Sequence, residues 1–197
     1  MKLLVKSLPN IITSTRIVIS FLFAYTITQQ FIYGQERSLK LIILFLFICI
    51  SDLLDGRIAR KTNSVSVIGA HLDVFADLLY IILSYITLIN VKILPVWFLG
   101  FICFKFSEFV ATSKFMKKKN NLSDNPFVFD KVGRAVSVIF FIIPGVACIY
   151  KYFEVNNLGV ILNLFLVLVL IAGLYSSYLR IQSCVSLYKI SNNINKN

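Results

Sequence analysis

Hydrophobic residues run along this chain in six long blocks, at about 10–33, 39–60, 68–91, 93–115, 129–152 and 157–181. Each is near the roughly 20 residues that an α-helix needs to cross a bilayer. Short polar breaks separate them, among them Gly34-Gln35-Glu36-Arg37, Lys61-Thr62-Asn63-Ser64 and Asn90-Val91-Lys92. Pro9-Asn10 reads as a helix start, and Pro95 and Pro126 also lie near helix starts. Pro144 falls inside the fifth block, where a local kink is expected. The pattern predicts an all-α fold: a polytopic integral-membrane bundle of six transmembrane helices, forming one domain over residues 1–197.

Composition agrees. With 58% hydrophobic residues among 197, the chain has too little polar sequence to clothe a soluble domain of this size. The apolar run after Lys2 and Lys6 resembles a signal sequence. It continues past Arg16 to about Tyr33 with no clear small-residue cleavage site, so a retained first helix is expected. Four cysteines (Cys49, Cys103, Cys148, Cys184) have no metal-like spacing and are read as buried free thiols.

The net charge of +11 would suit nucleic acid or an anionic membrane, and the positions of the charges decide between them. Arg57, Arg60 and Lys61, and Lys117, Lys118 and Lys119, sit in short segments between apolar blocks. That is the pattern of basic cytoplasmic loops, which removes nucleic acid as a partner. With six spans, both termini share the side that collects these residues, while the other side holds only Arg37, Lys40, Lys92 and Lys151. Both ends, and the active site with them, are therefore expected on the cytoplasmic face of the cell inner membrane.

Chemistry concentrates at one place. Only nine residues are acidic, and four of them, Asp52, Asp55, Asp73 and Asp77, lie at the ends of the second and third blocks. Spacings of three and four put each pair on one helical face, at the same membrane depth. Four converging carboxylates repel one another and are costly to desolvate. Protonation or basic partners would relieve this, but divalent metal is the more economical answer: hard oxygen ligands suit Mg²⁺ or Mn²⁺, which also bind phosphates. Two such ions roughly 3.5–4 Å apart can stabilise the attacking and leaving oxygens of a phosphoryl displacement. Gly56 and Gly69 leave room for a ligand near the helix backbones, Ala59 is also small, and Arg60 is one turn beyond Gly56, able to reach a pyrophosphate oxygen.

The run Asp52-Leu53-Leu54-Asp55-Gly56-Arg57-Ile58-Ala59-Arg60, followed after eight residues by Gly69-Ala70-His71-Leu72-Asp73-Val74-Phe75-Ala76-Asp77, resembles the signature of the CDP-alcohol phosphatidyltransferase family, D-x2-D-G-x2-A-R-x8-G-x3-D-x3-D, at every fixed position. The resemblance implies a six-helix membrane fold, usually a homodimer. It further implies two divalent ions held by Asp52, Asp55, Asp73 and Asp77, with Asp77 also acting as general base. Gly56, Ala59, Arg60 and Gly69 would form the cytidine-diphosphate pocket, with Ser66 as a further contact. The opening Leu8-Pro9-Asn10-Ile11-Ile12-Thr13 also looks like the family's first helix, where Asn10 and Thr13 would approach the nucleotide. The implied reaction moves a phosphatidyl group from CDP-diacylglycerol to a small alcohol and releases CMP.

The acceptor is less sharply marked. The start of the chain resembles phosphatidylglycerophosphate synthases, and Lys131 and Arg134, three apart at the start of the fifth block, would suit a phosphorylated acceptor. Glycerol 3-phosphate is favoured, with serine, inositol phosphate or another alcohol as alternatives. Lys105 and Glu108, inside the fourth block, would complete an acceptor pocket or pair with one another. A divalent cation transporter is the rival from another class: it accounts for the four aspartates but not for Gly56, Ala59, Arg60 and Gly69. His71 is expected to point away from both neighbouring aspartates, toward a surface or interface.

Overall fold

The structure, a computed structural model, describes residues 2–61, 67–120, 131–152 and 158–194, with side chains over 9–58, 61, 68–116, 133–152 and 159–186. These residues form six helices: α1 (Lys2–Phe31), α2 (Ser38–Lys61), α3 (Val67–Asn90), α4 (Val96–Asn120), α5 (Lys131–Tyr152) and α6 (Leu158–Ile194). No strand occurs among the described residues.

Four of the six expected blocks match these helices closely, and the two outer ones run longer. Pro9-Asn10 does not start α1: the helix begins at Lys2 and passes through Pro9. Pro9 is the eighth residue of the helix, past the first turn, so it forfeits one backbone hydrogen bond there and the helix continues on both sides of it. At the other end, α6 continues past residue 181 to Ile194. A block of hydropathy ends where the apolar surroundings end, whereas the helix itself needs no apolar residues to continue.

Two helix ends are closed by left-handed residues. Gly34 has φ +67°, and Gln35 N–H donates back to the Gln29 carbonyl at 3.1 Å. At the end of α3 the left-handed residue is Lys92, at φ +57°, with Ile93 N–H donating to the Leu88 carbonyl at 2.9 Å. Both satisfy carbonyls that a helix C-terminus would otherwise leave without partners.

Among the described residues, five helices are long and apolar enough to cross a membrane: Pro9–Phe31, Ile68–Asn90, Val96–Met116, Gly133–Tyr152 and Gly159–Ser186. The expected second span, α2, falls short because it carries Lys40 near its start and Asp52, Asp55, Arg57, Arg60 and Lys61 over its last ten residues. Large apolar side chains face outward along these helices, for example Val18, Leu164 and Leu168 at 59%, 62% and 65% exposure. A water-soluble surface of this kind would aggregate, whereas a lipid-facing one is at home in hydrocarbon.

The chain divides into two compact units. Unit 1 comprises Met1–Val96 and Phe141–Leu158. Within it α1 packs against both α2 and α3, around a core that includes Phe23, Ile27, Ile48, Tyr80 and Leu88. Aromatic rings stack through this core, with Phe23–Tyr80 centroids at 5.8 Å and Tyr80–Phe141 at 4.7 Å. Gly145 lets the Phe45 ring lie directly on the backbone of α5. Unit 2, Trp97–Phe140 and Gly159–Asn197, is cored by Phe98, Ile102, Val136, Phe140, Leu166 and Val169. There Gly173 admits the Phe101 ring in the same way. All four cysteines are free, but only Cys148 is buried; Cys103 is exposed.

Candidate active site

The four aspartates meet in unit 1, on the last turns of α2 and the first turns of α3. Their spacing on each helix faces both pairs toward α1, and there they find a partner. Arg16, fully buried with 0% exposure, reaches all four. Its Nη1 lies 3.2 Å from Asp52 Oδ1, 3.0 Å from Asp73 Oδ1 and 2.5 Å from Asp77 Oδ1. Nη2 pairs with Asp55 Oδ2. The third guanidinium nitrogen donates Nε–H to Ser51 Oγ at 3.3 Å, and that hydroxyl donates to the Ile48 carbonyl at 2.8 Å. The planar fork of arginine suits this task, since its donors diverge toward several carboxylates at once.

Asp55 is the deepest of the four, buried at 4% exposure. Thr13 Oγ1, itself buried, lies 3.1 Å from Asp55 Oδ2 and 3.0 Å from the Pro9 carbonyl, so its one proton serves either acceptor. Asp52, Asp73 and Asp77 keep partly open side chains, at 37%, 41% and 32% exposure. The centre is therefore closed at its base by Thr13, Arg16 and Asp55 and accessible where the other three carboxylates emerge.

The donor set fits a divalent ion. Asp52, Asp55 and Asp73 each offer a carboxylate oxygen, and the three oxygens lie within 4.8 Å of one another. Arg16 contributes one positive charge against four carboxylates, so their full ionisation leaves three negative charges for an ion to offset. Carboxylate oxygen is also the donor that Mg²⁺ and Mn²⁺ prefer.

The other candidates fall out as follows. Gly56 and Gly69 are half-buried, on α2 directly after Asp55 and on α3 one turn before Asp73. Asn10 is half-buried on α1 and borders an open groove with Ile11, Ser14, Thr15 and Val18. His71 is exposed, as its position predicts. Ser66 lies outside the described residues, as do the side chains of Ala59, Arg60 and Lys131. Arg134 is exposed on α5. Lys105 and Glu108 pair with one another in unit 2: Nζ sits 2.9 Å from Glu108 Oε2 and 2.9 Å from Ser177 Oγ, which in turn donates to Glu108 Oε2 at 2.5 Å.

Arg16 and Ser51 are the members that sequence reasoning missed. The signal was present: a lone arginine inside an apolar helix demands a buried partner, and the only acidic groups grouped at membrane depth are the four aspartates.

The profile of the CDP-alcohol phosphatidyltransferases matches residues 6–175. The chain belongs to the CDP-alcohol phosphatidyltransferase family. Among its relatives in the family, a CDP-diacylglycerol–glycerol-3-phosphate 3-phosphatidyltransferase of Aquifex aeolicus is 25% identical over 173 residues, 86% of this chain and 91% of that protein. A cardiolipin synthase (CMP-forming) of Streptomyces coelicolor is 33% identical over 93 residues, 47% of this chain and 43% of that protein. A probable cardiolipin synthase (CMP-forming) of Drosophila melanogaster is 36% identical over 103 residues, 51% of this chain and 30% of that protein. The chain thus spans less than half the length of these two cardiolipin synthases. No solved structure matches it.

Proposed function

We propose that this chain is a metal-dependent phosphatidyltransferase that moves the phosphatidyl group of CDP-diacylglycerol to glycerol 3-phosphate and releases CMP. The observation that carries the reading is the meeting of Asp52, Asp55, Asp73 and Asp77 around one point, three of them with oxygens close enough to share an ion. Family membership supplies the class of chemistry that such a centre serves. An arginine amid the carboxylates fits a centre that handles phosphate better than it fits a path for cations.

In this reading Asp52, Asp55 and Asp73 hold the divalent ions, with Asp77 completing the set. When bound, the ions supply Lewis-acid stabilisation of the charge that develops on the transferring phosphoryl group. Asp77 accepts the proton of the acceptor hydroxyl as its oxygen forms a bond to the phosphorus that carries diacylglycerol. The bond from that phosphorus to the bridging oxygen of the diphosphate breaks, and the electron pair leaves on CMP. Gly56 and Gly69 leave space beside the helices for the diphosphate, and Arg60 offsets its charge. Thr13 fixes the orientation of Asp55, the one carboxylate with almost no contact with solvent.

The proposal extends to the membrane. At 24 residues α2 is about 36 Å long, enough to serve as a sixth span whose charged end emerges at the interface. Arg57 and Lys61 are exposed at that end, which supports a cytoplasmic active site in the cell inner membrane and both termini on that side. A homodimer belongs to the same reading, on the strength of the family alone.

A second acceptor has specific support. Two relatives are named as cardiolipin synthases, which favours phosphatidylglycerol as an alternative to glycerol 3-phosphate. The two are separated by supplying each to purified protein with CDP-diacylglycerol and Mn²⁺ and weighing the lipid product by mass spectrometry. Phosphatidylglycerophosphate from the first acceptor alone supports the reading; cardiolipin from the second alone replaces the acceptor and keeps the chemistry. No product from either overturns the substrate assignment.

A further inference from the structure

We propose that Arg16 is the permanent counter-ion of the carboxylate centre and competes with the divalent ion for the same oxygens, so that it sets how tightly the ion is held. The inference rests on the proposed reading that the centre takes divalent ions.

Every candidate ligand is already engaged by this one side chain. Of the three carboxylates whose oxygens lie within 4.8 Å of one another, Asp52 and Asp73 contact Arg16 Nη1 at 3.2 and 3.0 Å, and Asp55 contacts Nη2. The fourth, Asp77, lies 2.5 Å from Nη1. A divalent ion that bonds to these groups enters within a few ångströms of a guanidinium that is itself shielded from water, and the two positive charges repel. Where the ion takes an oxygen that Arg16 already contacts, a lone pair also passes from an N–H donor to the ion.

Arg16 has no easy way to withdraw. Its side chain is fully buried, and Nε–H is held by Ser51, itself anchored to the Ile48 carbonyl. Nor does it lose its charge, because a guanidinium stays protonated at any accessible pH. A fixed positive charge therefore remains beside the centre with or without an ion. In the ion-free protein it restrains four carboxylates that would otherwise repel one another; in the loaded protein it lowers the affinity of the ion. An arginine that merely organised the ligands would act in the opposite direction, since its removal would weaken ion binding. The sign of the effect separates the two.

The test is Mn²⁺ binding to the full chain in detergent, read by electron paramagnetic resonance of the free ion, together with thermal unfolding with and without Mn²⁺. For Arg16→Gln the expected result is Mn²⁺ bound about tenfold more tightly, the size of effect that a neighbouring unit charge has on an ionisation. The same variant unfolds at lower temperature than wild type without Mn²⁺ and gains more from its addition. Arg16→Lys, which keeps the charge but reaches fewer oxygens, shifts the affinity in the same direction by a smaller factor. It carries the test alone if Arg16→Gln does not fold. Unchanged or weaker Mn²⁺ binding by the folded variants overturns the role of Arg16 and leaves the metal centre standing. Absence of Mn²⁺ binding in wild type and variants alike overturns the metal centre and the inference together.

Discussion

Arg16 and Asp77 stand 61 residues apart in the chain, on α1 and α3, and Arg16 Nη1 meets Asp77 Oδ1 at 2.5 Å. The contact ties the first helix to a carboxylate otherwise carried with its three companions on α2 and α3. Through it, α1 becomes part of the centre rather than a neighbouring span.

Thr13 gives a first prediction on the same helix. Its hydroxyl is the one neutral side-chain donor within reach of Asp55 Oδ2 among the described residues. Thr13→Val keeps the shape and removes the donor, so it is expected to cost about 1 kcal/mol of stability. CMP release should fall by about three- to tenfold through loosened Asp55, an effect of the same order in free energy. Thr13→Ser retains most of both. Thermal unfolding and initial rates on the three proteins check it.

How much of this was legible in the sequence depends on the kind of interaction. The two aspartate pairs, with their spacings of three and four, announced both the helices that carry them and the chemistry, because helical periodicity converts spacing into a shared face. Arg16 was hidden by the same apolar run that identified its helix. Its partners lie 35 to 61 residues away, and only packing of α1 on α2 and α3 brings them together. Hydropathy likewise located α1 and α6 but not their ends, since Lys2 and Ile194 extend the helices beyond the apolar blocks. Pairing of Lys105 with Glu108 was foreseeable at a spacing of three; the addition of Ser177 from α6 was not.

The Lys105–Glu108–Ser177 cluster makes a second prediction. Both charged side chains are about nine-tenths buried. Glu108→Ala strands a buried ammonium and is expected to destabilise by about 3–5 kcal/mol, whereas replacing both charges together, Lys105→Met with Glu108→Leu, recovers most of the loss. Denaturation in mixed micelles measures the difference between the single and double variants.

Packing at Gly145 gives a third. A Cβ built there would lie 2.4 Å from two carbons of the Phe45 ring, closer than any relaxed contact. Gly145→Ala is expected to cost about 1–3 kcal/mol through overpacking. Combining it with Phe45→Leu, which shortens the opposing side chain, restores part of that stability. A midpoint of Gly145→Ala equal to wild type would mean that α2 and α5 do not approach this closely.

The most direct measurement of the central claim is CMP release from CDP-diacylglycerol by the purified protein. It is followed with Mn²⁺ or Mg²⁺ and a glycerol-type acceptor, for wild type and for Asp77→Asn. Acceptor-dependent release that stops on chelation and falls by at least about 100-fold in a folded Asp77→Asn protein is the result predicted here. Release that is insensitive to chelation, or equal in the two proteins, would contradict it.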